Sequence, residues 1–78
     1  MVYENVEKIR RARGVTKTHI AKKLNLSLQG YRYIESGSTR LDAERLKTIA
    51  SVLSVDVAIF FDDKRTETVI KEILQPTG

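Results

Sequence analysis

Apolar residues along this chain of 78 residues recur in steps of three and four, the period of helices with one buried face. Val2, Val6 and Ile9 share a stripe on a first predicted helix that stops near Gly14, leaving Val15 to fold back on the core. Val2 also suits an extended arm ahead of that helix. Thr16 is suited to cap a second helix in which Ile20, Ala21 and Leu24 are buried, while Lys17, Lys22 and Lys23 stay wet. Asn25-Leu26-Ser27 then breaks the pattern with turn-forming residues around one apolar anchor. Ser27 caps a third helix running towards Ser36, which Gly37 stops. Within it Tyr31 and Ile34, three apart, face the core, and Tyr33 points elsewhere.

Gly37-Ser38-Thr39-Arg40 reads as a loop, and Asp42 as the cap of a fourth helix whose Leu46, Ile49, Ala50 and Leu53 lie at i, i+3, i+4 and i+7. Asp56 opens a short fifth helix over Val57, Ala58, Ile59, Phe60 and Phe61. That is more large apolar surface than one outer helix of a small chain hides. Past Asp62-Asp63, the residues Val69, Ile70, Ile73 and Leu74 form a last stripe before a frayed end, Gln75-Pro76-Thr77-Gly78. The pattern predicts an all-α fold of about five short helices with an extra C-terminal helix or tail. It divides into residues 1–61 and a C-terminal extension, 62–78.

Composition narrows what such a bundle does. Apolar residues are 41% and charged residues 31% of the chain, the balance of a folded globular domain. A chain this short buries only about 60% of the surface its unfolded form exposes, so its own core is thin. With no cysteine there is neither a disulfide frame nor a thiolate metal site. No apolar run approaches the roughly 20 residues that span a bilayer. Met1 is followed by an early acid, Glu4, instead of a basic and apolar signal segment, and the cytoplasm is the expected setting.

The net charge of +4 is unevenly spread. Residues 1–40 carry nine Lys or Arg against three acids, whereas residues 41–78 carry five against seven. The positive field therefore sits on the half that holds the second and third helices, where it attracts polyanions. Two helices joined by a three-residue turn around an apolar anchor present one helix to a major groove about 12 Å wide.

At this point the residues resemble the helix-turn-helix domain of the phage Cro and C1 repressors, the Xre type. The likeness runs from Ile9 to Phe61. It rests on Ile9-Arg10 before Gly14-Val15-Thr16, Ile20-Ala21, Leu26-Ser27, Ile34-Glu35 before Gly37, and Ile49-Ala50 with Leu53. The resemblance implies a lambda-repressor-like bundle whose third helix reads base edges from its first turns, here Ser27, Leu28, Gln29, Gly30, Arg32 and Tyr33. Gln29 suits adenine N6 and N7, and Arg32 suits guanine O6 and N7 or a phosphate. It further implies phosphate contacts from Thr16, Lys17 and Thr18 at the start of the second helix, and from Arg40 with Ser38 and Thr39 in the loop. Arg10 and Glu35 resemble the family's structural ion pair. Two positions depart from the pattern. Lys17 stands where Gln is common, which leaves a point charge for the backbone. Gly30 lies inside a helix, where it either admits a phosphate or thymine methyl or makes room for a neighbour.

One recognition helix reads half a site, so the resemblance implies a homodimer on an inverted-repeat operator in double-stranded DNA, with half-sites about 34 Å apart. The expected isologous interface is Val57, Ile59, Phe60 and Phe61, helped by Val69, Ile70 and Ile73. The alternative folds the last helix over the chain's own core. The ending is also similar, over a short stretch, to the controller proteins of restriction-modification systems, and phage repressors fit equally well. A transcriptional repressor or controller is the leading reading; an antitoxin or other partner-binding module with the same DNA-binding domain is the alternative. No enzyme, cofactor or metal is expected: His19 is the single histidine, on a polar face of the second helix near phosphate or solvent, and no carboxylate cluster accompanies it.

Overall fold

The computed structural model describes residues 1–75; the expected frayed end lies, from residue 76 on, outside the described residues. Five α-helices and one 3-10 turn follow in order: α1 Val2–Arg13, α2 Lys17–Lys23, α3 Leu28–Glu35, α4 Ala43–Leu53, the 3-10 turn Val57–Phe61, and α5 Asp63–Leu74. Among the described residues there is no strand, and no helix is long and apolar enough to cross a membrane. Val2 belongs to α1 and not to an extended arm.

Each junction has a local cause. Gly14 takes a left-handed φ of 72° and ends α1. The hydroxyls of Thr16 and Ser27 accept from the backbone N–H of His19 (3.1 Å) and Gly30 (3.0 Å), capping α2 and α3. Carboxylates do the same later: Asp42 accepts from Arg45 N–H, Asp56 from Ala58 N–H and Asp62 from Arg65 N–H. Between α2 and α3 the chain takes four residues instead of three. Lys23 closes α2, and Asn25 supplies a left-handed φ of 58°. Leu26 N–H then bonds to Ala21 O at 2.9 Å, which holds the half-buried Leu26 side chain against the core.

The core is one cluster: Val6 and Ile9 of α1, Ile20 and Ala21 of α2, Tyr31 and Ile34 of α3, Leu46, Ile49, Ala50 and Leu53 of α4, and Ile59 and Phe60 of the 3-10 turn. Arg13 ties α1 to the end of α4, its guanidinium donating to Leu53 O at 3.0 Å and Ser54 O at 3.4 Å.

The C-terminal segment corrects the expected interface. Phe60 is fully buried and Ile59 is 7% exposed in the chain's own core, so neither offers surface to a partner. The 3-10 turn carries these two inward and leaves Phe61 outside. Beyond it α5 folds back on α1 within the same chain. Val69, Ile70 and Ile73 are half-buried against the core and spend much of their apolar surface in cis. Polar bonds fix this return. The Asn5 amide donates to Phe60 O (2.9 Å) and to Asp63 Oδ1 (2.8 Å), and the Thr66 hydroxyl donates to Ile59 O at 2.6 Å. On the outside Lys8 pairs with Glu67 at 3.1 Å. Their interaction holds the Lys8 ammonium above its ordinary pKa, chiefly through the hydrogen bond, and the Asn5 amide likewise holds the Asp63 carboxyl below its own.

Candidate nucleic-acid interface

Helix α3 has two unlike sides. Tyr31, Ile34 and Glu35 are buried, whereas Gln29, Arg32 and Tyr33 are exposed and Leu28 and Gly30 half-buried. The exposed residues fall at i, i+3 and i+4, so they share one outward stripe. Tyr33 is 49% exposed, a large share for an aromatic ring, and sits on that stripe.

What orients the stripe is a buried ionic knot. Arg10 Nε donates to Glu35 Oε2 at 2.6 Å and its Nη2 to Oε1 at 3.2 Å, while Nη1 donates to Val15 O at 2.9 Å. One guanidinium thus joins the end of α3 to the strand of chain leading into α2. The Tyr31 hydroxyl completes the knot, donating to Glu35 Oε2 at 2.5 Å. Burial raises the Tyr31 phenol well above its ordinary pKa, reinforced by the bond to Glu35 and that carboxylate's charge. Burial opposes the charge on Arg10, but the hydrogen bond and charge of Glu35 outweigh it and the guanidinium binds its proton more tightly. No buried side-chain polar atom among the described residues is left without a partner.

The other candidate contacts flank the stripe. Thr16 and Thr18 are exposed and Lys17 half-buried at the first turn of α2, where backbone N–H groups point outward. Ser38 N–H and Thr39 N–H both bond to Tyr33 O, at 3.0 and 3.1 Å, so the loop carrying Arg40 is tied to the end of α3. Ser36 Oγ lies 3.0 Å from both Tyr33 O and Ser38 Oγ, able to donate to the carbonyl while accepting from the second hydroxyl. His19 is exposed beside Thr18.

Charge pairing divides the molecule. Lys8, Arg10, Arg11 and Arg45 each have a carboxylate within 4 Å, but among the described residues none of Lys17, Arg32 and Arg40 is ion-paired. Among the described residues, cations elsewhere, Lys47, Lys64, Arg65 and Lys71 among them, are not ion-paired either; those around α3 flank its outward stripe and give that side a positive field that attracts a polyanion. No cluster of residues able to hold a metal is present among the described residues.

Two glycines matter here for different reasons. At Gly30 a Cβ would meet Ser27 Oγ at 3.3 Å, the atom that caps the same helix, and Leu26 at 3.7 Å. Crowding within the turn thus supplies a reason for glycine that needs no ligand. At Gly37, with φ 80°, a Cβ would lie 2.7 Å from the ring of Tyr3. Tyr3 therefore packs with the outer end of its ring against the loop that follows α3, a role that its place near the first residue concealed. The Tyr31–Glu35 bond was missed as well, although their i, i+4 spacing on one helix was a usable signal.

A helix-turn-helix family model matches residues 6–60. Two proteins described as uncharacterized HTH-type transcriptional regulators, from Sinorhizobium medicae and Rhizobium meliloti, are each 32% identical to it over 50 residues, 64% of this chain. The aligned stretch is 36% of each of those proteins, so the chain spans about a third of the length of the relatives it matches. No solved structure matches it significantly.

Proposed function

Because the chain belongs to the Cro/C1-type (Xre) helix-turn-helix family, we propose that it binds double-stranded DNA by sequence and regulates transcription, two copies sharing an inverted repeat. The observation that carries this reading is the exposed stripe Gln29-Arg32-Tyr33, set by a buried ionic knot and flanked by unpaired cations. In this reading α3 enters the major groove. Gln29 pairs with adenine N6 and N7, and Arg32 with guanine O6 and N7, each worth roughly 1–3 kcal/mol of discrimination. Leu28 and Gly30 lie against the groove edge, and Ser27 keeps the first turn formed. Thr16, Lys17 and Thr18 hold phosphates on one side, Ser38, Thr39 and Arg40 on the other.

Repression follows from occupancy when such a site overlaps a promoter. Selection of bound duplexes from random DNA tests the reading: the recovered sites should be two-fold related with half-site centres one helical turn apart, about 34 Å. Recovery of unrelated sequences, or of none, defeats it.

A further inference from the structure

Tyr33 is the one side chain of the outward stripe of α3 that has no base or phosphate assigned to it in the DNA-binding reading. The exposed large apolar side chains among the described residues are Met1, Tyr33, Phe61 and Leu74, and of these Tyr33 alone lies on α3. We propose that the Tyr33 ring reads the C5-methyl group of a pyrimidine in the major groove, which makes Tyr33 a specificity-determining residue and a 5-methylpyrimidine part of the recognised site. The proposal rests on the DNA-binding reading and deepens it. Thymine always carries that methyl and cytosine acquires it by C5 methylation, so one contact answers both to base sequence and to base modification.

Three residues of one stripe carry three different chemistries. Gln29 is an amide, Arg32 a cation, and Tyr33 a flat apolar ring with a polar tip. The major groove offers a match for each: the adenine edge, the guanine edge, and the pyrimidine methyl, which takes apolar contact. Spacing keeps the contacts apart. Four residues of helix rise about 6 Å, a little under two steps of a duplex whose bases follow about every 3.4 Å. With α3 lying along the groove, Tyr33 meets a base pair one or two steps from the pair that Gln29 reads.

Phosphate is the competing partner for the ring, and two features disfavour it. The face of an aromatic ring is negative, which repels a phosphate and not a methyl. The phosphates on this side also have other partners in the proposed reading, Ser38, Thr39 and Arg40, on the loop that follows α3. That loop fixes the main chain from which the ring springs. Tyr33 O accepts from Ser38 N–H at 3.0 Å and from Thr39 N–H at 3.1 Å, with the Ser36 hydroxyl 3.0 Å away. The next two residues, Ile34 and Glu35, are buried. Only the two side-chain torsions of Tyr33 remain to be ordered on binding, a small entropic cost for a large contact.

The test replaces single bases in a selected duplex, and its first arm needs no variant. Thymine→uracil removes the methyl and nothing else, and each pyrimidine of the half-site is replaced in turn. At one position of each half-site the change should weaken the parent chain about fourfold, the worth of one buried carbon group, and should leave Tyr33→Ala unaffected. Tyr33→Phe keeps the ring and should keep the sensitivity. Cytosine and 5-methylcytosine at that position separate the two sources of the methyl: the methylated base should bind the parent about fourfold tighter than cytosine, and Tyr33→Ala should bind both alike. Tyr33 is exposed, so both variants keep the fold. Uracil tolerated at every position, or a loss on uracil that persists undiminished in Tyr33→Ala, would overturn the proposal. So would binding by Tyr33→Phe as weak as by Tyr33→Ala, the mark of a hydroxyl on phosphate. A parent chain that binds no duplex overturns the functional reading and this proposal with it.

Discussion

Glu35 is the most constrained charge in the molecule, its side chain only 3% exposed and both oxygens engaged by Arg10. Removing one member of such a pair strands the other in a poor solvent. Glu35→Ala should cost about 3–5 kcal/mol in urea denaturation. Tyr31→Phe keeps the ion pair and the ring but deletes one bond to a charged acceptor, for about 1.5–3 kcal/mol. A smaller loss from Glu35→Ala than from Tyr31→Phe would mean that the knot is not organised around the carboxylate. Tyr31 also sets a pH limit. Because its folded-state pKa lies above the unfolded value near 10, its contribution is complete below that pH and is lost as pH rises past it. Absorbance titration should show one of the three tyrosines ionising only as the helical circular dichroism disappears. The pair Arg10–Glu35 is an expectation that the family resemblance supplies; the third member, Tyr31, follows from three-dimensional burial that helical spacing alone presents merely as a core ring.

At the scale of elements, the caps Thr16, Ser27, Asp42 and Asp56 were legible because each is a short side-chain acceptor one residue ahead of a segment that reads as a helix; Asp62 does the same for α5 but was not read as its cap. The 3-10 turn was not legible. Five consecutive apolar or small residues, Val57 to Phe61, have no period of their own, and only packing decides that Ile59 and Phe60 turn inward. The return of α5 was equally hidden, because it depends on Asn5 and Thr66, polar residues buried at the contact. Glycine substitutions probe the junctions. Gly14→Ala meets open space and suffers only the left-handed φ, about 1–2 kcal/mol. Gly37→Ala should cost more, since its methyl strikes the Tyr3 ring, and Tyr3→Ala in the same chain should recover the excess. Equal losses at the two glycines in thermal melts would argue against the packing of Tyr3 on the loop. Gly30→Ala gains helix propensity of about 1 kcal/mol but crowds the Ser27 cap, so its net gain should fall below that figure.

For the whole molecule, the sequence placed the positive field on the first half, and the structure shows why it persists: acids neutralise Lys8, Arg10 and Arg11 but leave the cations around α3 unpaired. Each phosphate contact adds about 0.9 to the slope of log affinity against log salt. Arg40→Gln should therefore flatten that slope by about one contact per copy without changing which bases are preferred. The central claim is that the outward side of α3 reads base edges. Base-resolved binding profiles of Gln29→Ala and Lys17→Ala on a selected operator test it most directly. The account predicts that Gln29→Ala erases preference at one position of each half-site while Lys17→Ala weakens every sequence alike; equal, uniform losses in both variants would contradict it.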